Sequence, residues 1–377
     1  MPALFLLLTS CKGNEEPPAE PAPRTVLVYM AANNGLGAQG NDDADIAEIA
    51  QAARNGLLNN GCRVLLYHSD YQGSATLTEL AADGSLMQHE TYTDGKLSVQ
   101  AERMSKVLTD ARRIAPAGQF GLILWSHGSG WLEDGITEKA SSPRKRSWGE
   151  ENGRKMNITT LQSVLRPVHP DWIYFDCCYM ASVEVAYQLR NVTDAIVASA
   201  TELPADGMPY QLTLPYLLKL PDANLTGAAA TTFGHYNAMS GQMRTCTMSV
   251  ISTAGMDNLA QAAREINTRI SQAGLPKVPD GFTPQAYSLD RDCPYFDLGQ
   301  YMEALAEQLP DCNSLLARWR SAMDAVVLYS AATPKLWDKL SLEHCSGLST
   351  FLLRYGTDPG KANYTSLDWP TAAGLIQ

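Results

Sequence analysis

The sequence has few charged residues and no spacing of ligands that is typical of a zinc site. Charged residues make up 18% of its 377 residues, and the excess of acidic over basic residues gives a formal net charge of −11. Because phosphate binding needs clustered cations, this balance argues against nucleic acid as a partner. Neither a Cys-x-x-Cys pair nor a His-Glu-x-x-His motif occurs, so we expect no zinc peptidase and no structural zinc.

Hydrophobic residues make up 45% of the chain, which is typical of a globular protein and not of a disordered one. A chain of this length exceeds a single core of ordinary size. We therefore expect one large α/β domain with a smaller appendage.

The first residues resemble a bacterial lipoprotein signal. A short apolar run at 4–8 is followed by Thr9, Ser10 and then Cys11, although no Lys or Arg precedes the run. The run is too short to span a bilayer as a helix. We expect residues 1–11 to be the signal, ending at a lipidated Cys11, and the Pro-rich residues 12–24 to be a tether. The protein would then be exported and anchored to a membrane, periplasmic or at the cell surface. The alternative is a chance apolar N-terminus.

The first half of the sequence alternates strand and helix patterns. Strands are predicted at 25–30, 63–67, 120–125, 172–175 and 195–199. A hairpin is predicted over 76–92 with its turn at Asp83-Gly84. Helices are predicted from residue 42 and at 99–114, 159–165 and 181–190. Strands that are apolar on both faces and alternate with helices predict a mostly parallel sheet that is covered on both sides.

The last third is mostly helical by its pattern. Helices are predicted at 256–273, 296–309 and 314–329, and a last strand at 347–353. We therefore predict one domain over 25–254 and a smaller, mainly helical C-terminal subdomain over 255–377.

Two of the predicted strands end in residues that can perform chemistry. His127 follows the strand at 120–125, and Cys177 and Cys178 follow the strand at 172–175. Parallel strands end at the same edge of a sheet, about 4.8 Å apart when they are neighbours. A cysteine and a histidine brought together in this way form a nucleophile and its general base. The histidine lies about 50 residues before the cysteines, as in caspases.

The surroundings also suit a reactive thiolate. A helix that begins near Ala181 would direct its first N–H groups towards the cysteine and lower its pKa. Gly128 lets a backbone N–H approach a substrate closely, and together with the N–H of the nucleophile it would form an oxyanion hole. Chemistry alone does not decide which of the two cysteines reacts.

A resemblance to the clostripain family decides it. Residues 125–131 (WSHGSGW) and 175–184 (FDCCYMASVE) are similar to the two signature blocks of that family, which belongs to the caspase–gingipain–legumain superfamily. The order and spacing of these blocks agree from about residue 24 to 240. The family's nucleophile is the cysteine two residues after the aspartate, which implies Cys178. Cys177 stands where the family usually has alanine.

The resemblance implies a caspase-like fold and cleavage after Arg or Lys at P1. Asp176 matches the position of the carboxylate that recognises P1, and Asp206 is a second candidate for the same pocket. A buried carboxylate selects a cation through a charge-assisted hydrogen bond. The alternative for Asp176 is a buried acid that accepts hydrogen bonds from loop N–H groups.

A basic segment lies between the two blocks, at 129–155. In the family, a cut in this region matures the enzyme, often by its own action. We therefore expect self-cleavage after Lys139 or within Arg144, Lys145 and Arg146. The alternative is a solvated basic loop.

Several further expectations concern ligands and assembly. No cofactor is required by this chemistry, but some family members need calcium, and Asp42, Asp43 and Asp45 are either ligands for it or residues that suit a helix N-terminus. The eight cysteines include Cys246, Cys293, Cys312 and Cys345, which either pair in disulfides or are buried thiols. We expect a monomer that has two chains after cleavage and acts on polypeptides.

Two other functions use the same residues. The protein is either a catalytically silent peptide-binding lipoprotein on the same scaffold, or an enzyme that ligates or transfers peptides. Turnover of Arg or Lys peptides separates the first alternative from hydrolysis, and product analysis separates the second.

Overall fold

The computed structural model describes residues 21–132, 147–289, 295–352 and 364–376. Its strands are β1 (Ala22–Ala31), β2 (Arg63–Ser69), β3 (Ala75–Leu80), β4 (Leu86–Thr91), β5 (Ala117–Trp125), β6 (Trp148–Glu151), β7 (Arg154–Met156), β8 (Trp172–Asp176), β9 (Ala195–Ala198), β10 (Thr247–Ser252), β11 (Tyr295–Asp297), β12 (Val327–Ala332), β13 (Lys335–Leu336), β14 (Leu340–Ser341) and β15 (Ser349–Phe351). Its helices are α1 (Asn41–Arg54), α2 (Ala101–Ile114), α3 (Ile158–Leu165), α4 (Val183–Leu189), α5 (Tyr210–Leu217), α6 (Leu225–Asn237), α7 (Met256–Gln272), α8 (Leu298–Glu307), α9 (Cys312–Val326) and α10 (Asp368–Ala372).

The centre of the fold is a nine-stranded mixed sheet in the order β12–β10–β9–β8–β5–β1–β2–β3–β4. Its five middle strands, β9, β8, β5, β1 and β2, are parallel. Two antiparallel strands extend the sheet at each edge. The predicted α/β class with a caspase-like, mostly parallel centre is therefore confirmed.

Both faces of the sheet are covered because its middle strands are apolar on both sides. In β1, Leu27 and Tyr29 point to one hydrophobic cluster, and Val26 and Val28 point to the other. The first cluster is shared with α2, α3, α4 and α7–α9, and the second with α1, α5 and α6. Burial of one such large apolar side chain stabilises the fold by about 1.5–3 kcal/mol.

The hairpin predicted to turn at Asp83-Gly84 is present as β3–β4. The helix predicted over 314–329 is wrong at its end, because α9 stops at Val326 and the chain continues as β12. Val327–Ala332 pairs with β10 at the edge of the main sheet. The apolar residues keep a helical spacing beyond the end of α9, although the backbone there pairs with a distant strand instead of continuing the helix.

The predicted tether over 12–24 is too long at its C-terminal end, because β1 begins at Ala22. Arg24 is only 1% exposed. Its guanidinium donates hydrogen bonds to the carbonyl oxygens of Leu217 (3.1 Å) and Pro221 (3.0 Å). A cation held inside the fold in this way belongs to the folded domain.

The C-terminal region is mainly helical, as the sequence predicted, but it shares its core with the rest of the chain. Strand β12 belongs to the main sheet, and residues of α7, α8 and α9 lie in the same hydrophobic cluster as β1 and β5. The described segments contain no helix that is long and apolar enough to cross a membrane.

Candidate active site

Strands β5 and β8 are neighbours in the sheet, which is the condition on which the proposed Cys–His pair depends. They are parallel, and Trp125 at the end of β5 lies opposite Asp176 at the end of β8. The residues that follow, His127 in one loop and Cys177 and Cys178 in the other, therefore leave the sheet at the same edge. The two loops that carry the candidate catalytic side chains are side by side.

Gly128 brings these two loops into contact. A Cβ atom on this residue would lie 2.5 Å from the carbonyl oxygen of Cys178 and 2.8 Å from the Sγ atom of Cys177. No side chain fits at such distances without moving the cysteine loop. Gly128 is therefore required by close packing of the main chain, in addition to any role in an oxyanion hole.

His127 is partly buried beside the loop that follows β1. Its Nε2 atom would be 4.0 Å from a Cβ atom on Gly35, and its carbonyl oxygen accepts a hydrogen bond from the N–H of Gly149 at 2.9 Å. Burial lowers the pKa of His127, the carboxylate of Glu150 raises it, and the ammonium group of Lys155 lowers it. A neutral imidazole near pH 7 is able to accept a proton from a thiol.

Cys178 is partly exposed, and its sulfur contacts the loop after β9. The backbone N–H of Leu203 donates a hydrogen bond to its Sγ atom at 3.3 Å. Burial raises the pKa of Cys178 to about 12, which outweighs the lowering effect of the Leu203 N–H; Glu202 and Asp176 raise the pKa further. Without substrate, this residue is a thiol that needs a base.

The helix that follows this thiol begins two residues later than predicted. Helix α4 begins at Val183 and not near Ala181, and the side chain of Ser182 accepts the hydrogen bond of the Val185 N–H. The N–H that reaches the sulfur comes from Leu203. Helix α4 starts five residues after Cys178, and a lowering of the thiol's pKa by its first turn stays a prediction.

Tyr179, directly after Cys178, adopts a backbone conformation that is rare for a bulky residue. Its φ angle is +63°. Its ring is stacked on Tyr295 with centroids 5.7 Å apart, and its hydroxyl donates to the Oγ atom of Ser288 at 3.1 Å. Backbone strain of this kind occurs at functional sites, where surrounding contacts hold it in place.

Asp176 lies beneath the cysteine loop on the side of α1 and α5. It is 4% exposed, and its Oδ1 atom accepts a hydrogen bond from the N–H of Met208 at 2.9 Å. A Cβ atom on Gly207 would be 2.9 Å from its buried Oδ2 atom. Burial raises the pKa of Asp176 to about 7, which outweighs the lowering effects of hydrogen bonds from the Tyr210 hydroxyl and the Met208 N–H; the nearby Glu48 raises it as well.

Other acids surround Asp176, and the sequence did not assign them to this pocket. Asp45 of α1 accepts a hydrogen bond from the Trp125 Nε1–H at 2.7 Å. Burial raises its pKa to about 9, as do the charges of Asp176, Glu48 and Asp206. Asp206 is exposed, in the loop before α5. The predicted pair Asp176 and Asp206 is therefore part of a larger acidic group.

The acids at the start of α1 are arranged as separate contacts. Asp42 pairs with the Nε2 atom of His68 at 2.7 Å, and Asp45 contacts Trp125. In the part of the chain that the structure describes, no group of three or more His, Cys, Asp or Glu side chains is arranged to hold a metal ion. The sequence feature that could have indicated these contacts is the spacing of three residues between Asp42 and Asp45. This spacing places both side chains on the buried face of the helix.

Some predicted residues fall outside the described ranges. These are Cys11, Lys139, Arg144, Lys145 and Arg146, together with Cys293. The described cysteines are free thiols: Cys62, Cys177, Cys178, Cys246, Cys312 and Cys345.

Comparisons with known proteins agree with this geometry. Residues 28–353 match the clostripain family, and no curated protein matches the chain. A secreted C11 cysteine protease from Bacteroides thetaiotaomicron, named iotapain, is 25% identical with a TM-score of 0.80, covering 94% of this chain and 100% of that one. A secreted C11 protease of the same organism in complex with an irreversible peptide inhibitor is 27% identical, with a TM-score of 0.78 and the same coverage. An inactive zymogen C11 protease from Parabacteroides distasonis is 27% identical, with a TM-score of 0.74 and coverage of 94% and 99%.

Proposed function

Because the chain belongs to the clostripain family of cysteine peptidases, we propose that it is an endopeptidase that cuts polypeptides after Arg or Lys, with Cys178 as nucleophile and His127 as general base and acid. The observation that carries this proposal is the in-register pairing of β5 with β8, which places both loops at one edge of the sheet. Burial that favours a neutral imidazole supports His127 as the base.

The proposed reaction follows from these two groups. The imidazole of His127 takes the proton of the Cys178 thiol as the sulfur attacks the scissile carbonyl carbon, and the same imidazole then protonates the leaving amine. The Gly128 and Cys178 N–H groups would stabilise the oxyanion of the tetrahedral intermediate. Water hydrolyses the resulting thioester and regenerates the thiol.

The proposed preference for a basic P1 residue is supported by the acids beneath the cysteine loop. Asp176 offers a buried carboxylate that the Met208 N–H and the Tyr210 hydroxyl contact, with the carboxyl groups of Asp45 and Glu48 nearby. A guanidinium or ammonium group would add a charged donor and would compensate the negative charges.

The test of this function is a screen of fluorogenic peptides that differ only at P1, with Cys178→Ala as the blank. We expect turnover for Arg and Lys and almost none for other residues. Turnover after a different P1 residue would contradict the specificity but not the peptidase. An absence of turnover, even after limited trypsin treatment, would favour the silent peptide-binding alternative.

We further propose that the enzyme matures by cutting itself after Lys139 or within Arg144 to Arg146. This segment connects the His127 loop to β6, and its basic residues match the proposed P1 preference. An inactive zymogen is known for the similar protein of Parabacteroides distasonis. We expect intact-mass analysis to find two fragments for the purified wild type and one intact chain for Cys178→Ala. A wild-type chain that is intact and fully active would contradict maturation.

Export with lipidation at Cys11 remains our proposal for the location of the protein, on the membrane of the periplasm or at the cell surface. Two similar proteases are described as secreted. We expect the wild type to fractionate with membranes, with acyl chains on Cys11 found by mass spectrometry, and Cys11→Ser to be released. We also propose a monomer with two chains after cleavage, and no required cofactor; a rise in activity on addition of calcium would revise the last point.

A further inference from the structure

The β6–β7 hairpin is attached directly to the loop that carries His127. The N–H of Gly149 donates to the carbonyl oxygen of His127 at 2.9 Å, and the N–H of Glu150 donates to the Oγ atom of Ser126 at 3.0 Å. Trp148 forms a bridge with Gly128. The hairpin therefore holds the main chain on both sides of the imidazole.

Buried polar side chains fix the hairpin in place. The Nδ2 atom of Asn34 donates to the carbonyl oxygens of Glu150 (2.9 Å) and Ala31 (2.7 Å). The carboxylate of Glu151 accepts a hydrogen bond from the Oγ atom of Ser69 at 2.9 Å and another from the N–H of Ser98. The hairpin is thus connected to the ends of β1 and β2, and its side chains have little freedom relative to β5.

This hairpin, whose backbone contacts His127 and Ser126, carries an ion pair between its two strands. The Nζ atom of Lys155 lies 3.3 Å from the Oε2 atom of Glu150, and the lysine side chain is only 8% exposed. For comparison, Lys106 of the Lys106–Asp110 pair on α2 is 58% exposed. Burial of a lysine is unfavourable unless its charge is compensated, and Glu150 supplies a compensating charge here.

We propose that Glu150 and Lys155 are positioning residues that set the protonation of His127 and Cys178. This inference rests on the proposed function of these two side chains. Glu150 acts on the imidazole as a nearby anion, and Lys155 acts on both groups as a nearby cation.

The directions of the individual effects agree with this arrangement. Glu150 raises the pKa of His127, while Lys155 lowers the pKa of both His127 and Cys178. Among the described residues, the other charged groups that act on the thiol are Glu202 and Asp176, which both raise its pKa. Lys155 is thus the cation that opposes these two anions and favours the thiolate.

The test measures each group without relying on turnover. The pKa of His127 is followed by NMR of the imidazole signals, assigned with His127→Gln. The rate at which iodoacetamide alkylates Cys178 is followed by peptide mass spectrometry between pH 6 and 9 (a range chosen around the ordinary pKa values, roughly 6.5 for His and 8.5 for Cys). Proteins are compared in the same cleavage state, and Lys106→Met is the matched control for loss of a paired lysine.

The two variants are expected to shift the pKa of His127 in opposite directions. Glu150→Gln removes an anion, so the pKa of His127 falls by about one unit. Lys155→Met removes a cation, so the pKa of His127 rises and alkylation of Cys178 slows by about tenfold. The double variant returns towards the wild type for His127. The inference would be overturned if both variants had the same His127 pKa and the same Cys178 alkylation rate as Lys106→Met. Thermal unfolding would first establish that the variants are folded.

Failure of the proposed function is distinguishable from failure of this inference. If Cys178→Ala retains peptide hydrolysis, the assignment of the nucleophile is wrong. The titration of His127 and the alkylation of Cys178 would still report whether Glu150 and Lys155 act on these groups.

Discussion

We expect Cys178→Ala to abolish peptide hydrolysis, and Cys177→Ala to lower it by less than about tenfold. For Cys178→Ala, we expect kcat/KM to fall by about four orders of magnitude or more, as for the loss of a nucleophile in other proteases. The physical reason is that no other described thiol both lies at the shared edge of β5 and β8 and is partly exposed. The measurement is kcat/KM with an Arg or Lys peptide, after both proteins are treated with trypsin, so that cleavage of the chain is not a variable, and after the trypsin, which cuts the same peptides, is removed.

Cys177 provides the matched control because it is a neighbouring thiol in a different environment. Its side chain is 4% exposed and lies against Gly128. Burial raises its pKa well above the ordinary value, so it remains a protonated and inert thiol. We expect Cys177→Ala to change kcat/KM by less than about tenfold, because alanine removes only a small buried side chain. A larger loss for Cys177→Ala than for Cys178→Ala would assign the nucleophile to Cys177.

The strand ends that form the site were predictable from the sequence. The runs that end before His127 and Cys177 are apolar on both faces, and a strand with this pattern belongs to the interior of a parallel sheet. Since such strands all end at one edge, the pattern predicts that both loops lie at that edge, although it does not predict which strands are neighbours.

Contacts between distant parts of the chain were not predictable in the same way. The hydrogen bond from Trp125 to Asp45 joins residues 80 positions apart. The N–H of Leu203 is a backbone group, so no residue type marks its contact with Cys178. The sequence pattern predicts which face of α1 is buried, but it does not predict which distant residues pack against that face.

The β6–β7 hairpin is a different case, because its signal was present in the sequence. Asn152 and Gly153 both have positive φ angles, of 48° and 70°. Asn-Gly with both residues in this region is the preferred turn of a two-residue hairpin. Its strands are short and polar, so they lack the alternating pattern that identifies longer strands.

Asp176→Asn is expected to remove the preference for a basic P1 residue. We expect kcat/KM for Arg and Lys peptides to fall by about 10²- to 10³-fold, the loss typical of a buried charged partner. Asparagine keeps the shape and still offers an acceptor to the Met208 N–H. Because the carboxylate is buried and its pKa is raised, its replacement should not lower the melting temperature at pH 7.

Asp206→Asn is the matched control for this substitution, since it removes a carboxylate of the same acidic group that is exposed. Water screens this charge, so we expect a loss of less than about tenfold. Equal losses for the two variants would mean that the pocket attracts P1 by its overall charge and not by contact with Asp176. Unchanged preference for Arg and Lys in Asp176→Asn would contradict its proposed role.

The same carboxyl group predicts a pH dependence that the asparagine variant lacks. Burial raises the pKa of Asp176 to about 7, so in the empty pocket the group is neutral below this pH and charged above it. A cationic P1 residue binds the charged form, so kcat/KM for Arg peptides should fall by up to about tenfold per unit as the pH drops below 7. In Asp176→Asn this part of the profile should be lost, while any dependence due to His127 remains. A wild-type and a variant profile of the same shape would show that Asp176 does not titrate in contact with the substrate.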